Sequence, residues 1–444
     1  MNNEGFFRLK RNFLDKKGIE YDSIFSISDL TLDDNGLNLY LKLGFVPGSK
    51  TLFKNVECSL FKKSSTFGLK EVFNQIPNKE FNKSELREII LNSISNYFTS
   101  GSMCVVPLSG GMDSRIILAA LCEFTEAKNI HTYTFGVPGA YDYEIPNAIA
   151  RKLCTQHTNF STEYTEYTID GLVRAAIASD GNTEVFHPLV LNRVADHYGS
   201  DAVFWSGFAG DLVGGAFGNK LEGSNPKQQL INYEKRGIYF LDNIVDDESL
   251  YPYITVGEKM DGLVSQSEAC FWENHVERYT GHHIFRNDMN IKAPLVDMSL
   301  LKFFFTLPES EREDKKYFNE AFSSLFPQVF DFPTKDYGYK YSRYSFLQPL
   351  HKTKFYLSAL GWRFVPKLFT HPNAAYIDMQ HAINNRPDVR NCIDELLADL
   401  AKRNIVDNTR MFSFLTEHRN NRKNYTKDLI NLASLEVILK ASKQ

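Results

Sequence analysis

The sequence predicts an α/β fold, a parallel sheet with helices on both faces, and three observations carry that reading. Apolar runs of strand length alternate with segments of helical period from residue 83 to residue 205. The first of these runs enters its helix through SGGMDS at residues 109–114, so the order there is strand, tight turn, helix. Beyond about Gly218 the strand pattern stops and helical periods continue, which predicts a mostly helical C-terminal portion. A strand followed each time by a helix pairs in parallel with the next strand, and ligands then gather at the strand carboxyl ends. At 444 residues the chain is long for one core. The expected division is a short β-rich segment over 1–80, a sheet core over 81–218 and a helical portion over 219–444.

Taken in order, residues 1–80 read as short strands and turns, because LNLYLKLGFVPG alternates and then breaks at Pro47 and Gly48. Leu86, Ile89, Ile90, Ile94 and Phe98 are spaced by three and four, which predicts a helix. The apolar run at 105–108 is a buried strand, followed by a helix over 112–124 and a second strand ending at Gly136. Next come a helix over 144–153, a strand over 157–161, helices over 169–179 and 189–197, and a strand over 202–205. Residues 220–261 are polar and turn-rich, a surface excursion. SLLKFFFTL, KKYFNEAFSSLF and NCIDELLADLAK are helical, and LINLASLEVILKA at 429–441 reads as a last amphipathic helix.

Hydrophobic content of 43% with 23% charged residues fits a globular chain. The 50 basic residues are scattered and the net charge is −4, so nothing points to nucleic acid. Six cysteines lie far apart without a Cys-x-x-Cys pair, which argues against a zinc site and a disulfide framework. MNNEGFFRLKRNF lacks the apolar centre of a signal peptide, and no run of about 18 apolar residues occurs, so a cytoplasmic protein without a membrane span is expected.

The chemistry starts at SGGMDS. Gly110 and Gly111 let an anion approach the main chain, while Ser109, Ser114 and the helix N-terminal amides supply donors. An ATP loop of the Gly-Lys-Ser/Thr kind is excluded because Met112 stands where the lysine belongs. A hydrolase nucleophile elbow is excluded because Pro107 stands where its first glycine belongs. What remains is a phosphate or pyrophosphate cradle.

SGGMDS resembles the pyrophosphatase loop of the N-type ATP pyrophosphatases, the group of asparagine synthetases, β-lactam synthetases and lasso-peptide cyclases. Further stretches resemble the same family in the same order: GFVPGSKTLFKNVECSL at 44–60, TFGVPG at 134–139, SGFAGDLVGG at 206–215, KAPLVD at 292–297 and FPTKDYG at 332–338, besides the closing helix. The resemblance implies an adenine-nucleotide α-hydrolase (PP-loop) sheet and an ATP-dependent, AMP-forming ligase. Such an enzyme adenylates a small-molecule or peptide carboxylate and joins it to an amine. It implies that Leu108, Ser109, Gly110, Gly111, Asp113, Ser114, Phe135, Ser206 and Gly207 hold ATP, with Phe135 bordering the adenine. Asp113 and Asp211 match the family's magnesium-binding aspartates, and Lys335 matches a mobile lysine that stabilises charge in the transition state.

Departures from the family pattern bear on the substrate. Asn2 stands where the glutaminase nucleophile, a cysteine, is expected, and the region before Gly44 is short for that domain. The 1–80 segment then reads as a remnant, and the chain is expected not to make its own ammonia. Phe208 and Leu212 replace two acidic residues of the loop around Asp211, which counts against aspartate amidation. Glutamine-hydrolysing asparagine synthesis, lasso-type cyclisation and an inactive nucleotide-binding scaffold served by a partner protein are the alternatives. Asp297 is read as a helix cap, Lys292 as either a substrate-facing or a solvated cation, and His187, His282 and His283 as surface or core residues. No general base is legible.

Overall fold

A computed structural model describes residues 11–59, 83–216, 222–256, 265–335, 348–364 and 371–443 apart from 373 and 375. Asn2, Leu60, Gly218, Lys220 and residues 336–338 of FPTKDYG lie outside these.

The expected α/β class holds. A five-stranded parallel sheet is built from β4 (Cys104–Pro107), β5 (His131–Gly136), β6 (Gln156–Ser161), β7 (Val203–Trp205) and β8 (Asn290–Lys292), in the order β6-β5-β4-β7-β8. The period of two along β4 divides its side chains between two cores. Val105 packs with Tyr133, Phe160, Val194 and Phe204, whereas Cys104 and Val106 join the larger core that holds Ile116, Ile117 and Trp205. Both faces are therefore covered. The chain leaves β4 towards β5 and β6, then returns to its other side for β7 and β8. That reversal opens a crevice at the carboxyl ends of β4 and β7.

Three elements differ from the sequence expectation. Residues expected as strand form a helix, Asp34–Leu43, in which Asp33 accepts a hydrogen bond from the Gly36 N–H at 2.8 Å and Gly44 ends the helix at φ 84°. The alternation of Leu37, Leu39, Leu41 and Leu43 misleads because the last turns of this helix, Leu39–Leu43, are buried at every position, Lys42 and Tyr40 included, and only its start at Asp34 and Asn35 is exposed. The short N-terminal sheet is real but uses other residues, β1 (Asn12–Leu14), β2 (Glu20–Tyr21) and β3 (Glu57–Ser59), paired antiparallel in the order β2-β1-β3.

β8 is the second difference: a fifth strand lies within the portion expected to be helical, and its three residues pair with β7. The third is the helix Thr426–Ala441, which is buried rather than amphipathic. Its polar positions have partners inside the protein. Asp428 accepts from the N–H groups of Tyr239 and Phe240, both at 2.8 Å, Ser434 accepts from the Val185 N–H at 3.1 Å, and Glu436 is held by Arg403 at 2.5 and 2.9 Å. The 220–261 stretch also contributes to the core, through Leu230, Ile231, Phe240 and Leu250. Elsewhere the boundaries agree closely, as in the helices Tyr141–Leu153, Ile169–Ser179 and Val190–Tyr198. Among the described residues no helix is long and apolar enough to cross a membrane.

Candidate active site

The loop between β4 and the helix Asp113–Leu121 is stitched internally. Ser114 Oγ accepts from the Ser109 N–H at 3.1 Å and lies 3.2 Å from Ser109 Oγ, which in turn accepts from the Gly111 N–H at 3.2 Å. The Gly110 N–H donates to Asp142 Oδ1 at 2.9 Å, so a carboxylate rests against the expected anion cradle. Behind the loop lies the fully buried Arg115. It donates to the Gly110 carbonyl at 3.0 Å and to the carbonyls of Phe332, at 3.3 Å, and Pro333. The Lys335 N–H donates to the same Gly110 carbonyl at 3.0 Å. Arg115 thus fastens the segment that carries Lys335 to the β4 loop, and the Lys335 ammonium lies 3.4 Å from Asp142 Oδ2.

The loop after β7 presses directly on this one. A Cβ added at Gly207 would come within 2.8 Å of the Asp113 carbonyl carbon and 2.9 Å of the Ser114 nitrogen, so only glycine permits the approach. At Gly210 the same Cβ would lie 2.3 Å from Asp113 Cγ. This contact brings Asp113 and Asp211 to one cation, the ammonium of Lys315, at 2.5 and 2.8 Å. Lys315 reaches them from a backbone in the left-handed region, φ 61°, immediately before the helix Lys316–Leu325. Burial opposes its charge, but the two carboxylates outweigh that and raise its pKa above the usual lysine value. Burial pushes the Asp113 carboxyl up, with the Asp211 charge acting the same way and Lys315 against it.

A cavity of about 1010 Å³ opens over these groups. Leu108, Ser109, Gly111, Asp113 and Ser114 line it from the β4 loop, Phe135 from the end of β5, Ser206, Gly207 and Asp211 from the β7 loop, and Lys335 from its own segment. The predicted site residues are therefore gathered in one place, with Gly110 in the same loop but its N–H turned to Asp142. Lys292 is not in the cavity wall; its ammonium lies over the Tyr97 ring at 5.5 Å. Asp297 is the expected cap, accepting from the Ser299 N–H at 2.8 Å. His282 is a core residue bonded to the Ser179 carbonyl at 2.8 Å, while His283 lines the cavity. Glu184, at 2.9 Å from His187 Nδ1, holds that histidine.

Phe208 and Leu212 are buried in the cavity wall, Phe208 meeting Phe285 edge to face at 4.8 Å. The wall where the family pattern has acids is thus apolar. Sequence reasoning missed Arg115, Asp142 and Lys315, and with them His275 and Tyr376, which line the cavity, the Tyr376 ring lying 4.7 Å from that of His187. Arg115 alone had a signal, a charge inside an otherwise apolar helix.

The family description Asparagine synthase matches residues 85–203. A protein of Methanocaldococcus jannaschii, named "Putative asparagine synthetase (glutamine-hydrolyzing) 2", is 24% identical over 224 residues, covering 46% of this chain and 43% of that protein. The match thus spans less than half of that relative's length. The matched region carries β4, β5, β6 and the start of β7, with the SGGMDS loop at their crevice. Over residues 85–203, the chain is similar to the asparagine synthase family.

Proposed function

We propose that the protein is an ATP-dependent ligase that converts a substrate carboxylate to an acyl-adenylate, releases pyrophosphate and forms an amide with an amine. The observation that carries this reading is the convergence of the SGGMDS loop, Asp211 and Lys335 on one cavity. A carboxylate is a poor acyl donor because its leaving group is oxide or hydroxide, and transfer to the nucleotide's α-phosphate replaces that with AMP. In this reading Ser109, Gly111 and Ser114 donate hydrogen bonds to the leaving pyrophosphate. Lys335 turns from Asp142 to the charge that builds on the α-phosphate.

The donor set fits magnesium. Asp113 and Asp211 already share one cation, the Lys315 ammonium, and among the described residues no cluster of three or more His, Cys, Asp or Glu forms a complete cage. Two carboxylates complemented by phosphate oxygens and water are a usual magnesium arrangement. Bound there, the ion would neutralise phosphate charge. The apolar wall at Phe208 and Leu212 supports an acid other than aspartate.

The test is pyrophosphate release from ATP and Mg²⁺ with a panel of amino acids, aliphatic and aromatic acids and peptides. Asp113→Ala is expected to abolish it, and unchanged turnover in that variant would overturn the mechanism. Formation of asparagine from aspartate and glutamine would replace it with the glutamine-hydrolysing alternative. A nucleotide-binding scaffold without turnover is the second reading, favoured by the internal neutralisation of both aspartates by Lys315. Magnesium-dependent ATP binding with no AMP produced would support that one.

A further inference from the structure

Phe208 cannot take a proton, so the amine that attacks the activated acyl group needs a base from elsewhere on the cavity wall. Asp142 is engaged by the Gly110 N–H and Lys335, and Asp113 and Asp211 are engaged by Lys315. Beside the carboxylates and tyrosines of the wall stand two imidazoles, His275 and His283, the side chains best suited to accept a proton near neutral pH. They differ in what supports them. His283 Nε2 donates to the Glu184 carbonyl at 3.3 Å and lies 3.7 Å from that residue's carboxylate, which His187 holds more closely at 2.9 Å, and burial lowers its affinity for a proton. His275 Nδ1 lies 2.5 Å from the buried Glu234 carboxylate.

Its ring is also fixed in orientation. His275 stacks on Phe271 at 4.4 Å and on Tyr279 at 5.2 Å, and meets Tyr233 edge to face at 5.6 Å. These contacts belong to an uncommon element. Trp272–Thr280 is a π-helix of nine residues, a conformation that is rare at this length and recurs at functional sites. His275 and Thr280 stand five apart, one hydrogen-bonding step of a π-helix, and both line the cavity.

We propose that His275, positioned by Glu234, is the base that takes the proton from the attacking amine; the inference rests on the adenylating reading above. With Nδ1 committed to Glu234, Nε2 is the nitrogen left for the substrate. The amine nitrogen bonds to the acyl carbon, the bond from that carbon to the phosphate oxygen breaks, AMP leaves with the electron pair, and the lost proton passes to Nε2. Glu234 then faces the imidazolium formed.

The test separates the two half-reactions. The full chain is given ATP, Mg²⁺ and an acid that supports pyrophosphate release, with either hydroxylamine or ammonium chloride as nucleophile. Hydroxylamine is unprotonated at neutral pH and traps an acyl-adenylate without a base. His275→Gln is expected to keep hydroxamate formation within about twofold while amide formation falls by about 10²-fold or more. Glu234→Gln, which retains the side chain's shape, should lower the amide-to-hydroxamate ratio by about tenfold. Equal loss of both products in both variants, or no change in the ratio, would overturn the proposal. A ratio that moves with His283→Gln instead of His275→Gln would overturn it too. If the unaltered protein makes neither product from any acid of the panel, the adenylating reading is what fails.

Discussion

The ammonium of Lys315 lies 2.5 Å from the carboxylate of Asp113, and the same nitrogen reaches Asp211 at 2.8 Å. A lysine therefore stands where the proposed reaction would place a divalent ion. Lys315→Met should leave two neighbouring carboxylates facing each other without a cation. Because the Asp211 side chain is 63% exposed, the cost is discounted to about 1–2 kcal/mol rather than that of a fully buried pair. Mg²⁺ without nucleotide should then raise the melting temperature more in the variant than in the parent. Equal Mg²⁺ responses would show that lysine and metal do not compete.

Arg115 joins two loops that are far apart in sequence, at Gly110 and at Phe332 and Pro333. Arg115→Leu removes these bonds and should destabilise the fold by about 2–4 kcal/mol, read by denaturant unfolding. Arg115→Lys should not restore pyrophosphate release, because one ammonium cannot reproduce the guanidinium fork. Full activity in the lysine variant would make Arg115 a simple buried charge.

Gly207 is a steric requirement. Gly207→Ala places a methyl group against backbone atoms of Asp113 and Ser114 at 2.8–2.9 Å, and neither atom is the end of a flexible side chain. The β7 loop must move away, at a cost of about 1–3 kcal/mol. Protection of the protein by ATP against thermal unfolding should be lost. Retained protection would mean that the contact between the loops does not matter for the nucleotide.

Glu184 gives a prediction in pH. Burial pushes its carboxyl up, but the charge and hydrogen bonds of His187, with His283 adding, pull it down from 4.5 to about 2. A depressed carboxyl contributes stability above its unfolded value and loses it as pH falls through the folded one. The contribution, roughly 3 kcal/mol at about 1.4 per unit, should disappear between pH 4.5 and about 2. His187 moves the opposite way: burial lowers it, Glu184 raises it more, and its share is full below 6.5 and is lost as pH rises through the raised value. The stability difference between the parent and Glu184→Gln should therefore be largest between pH 4.5 and 6.5. A flat difference across that range and below would show that the pair is not an ion pair in solution.

The β4 loop was legible because glycine, serine and aspartate at 109–114 act through the backbone, and backbone geometry is written in short runs of sequence. β8 was not, since three residues at a sheet edge carry no period. The helix at 34–43 was misread because burial at every position from 39 to 43 erases the contrast from which a period is read. Lys315 was hidden for another reason. Its place between the two aspartates comes from left-handed backbone at Asp314 and Lys315, which a lysine does not announce. His275 depends on a π-helix and on Glu234, 41 residues away in the chain.

The buried helix Thr426–Ala441 also sets an order in time. Its Ser434 and Asp428 meet backbone groups of Val185 and Tyr239, which leave the ribosome long before it does. Until that helix arrives, the apolar surface it covers faces water and the Val185 and Tyr239 amides lack their partners. The nascent chain must carry this open flank through most of its synthesis, a period in which a chaperone or a second nascent copy can occupy it.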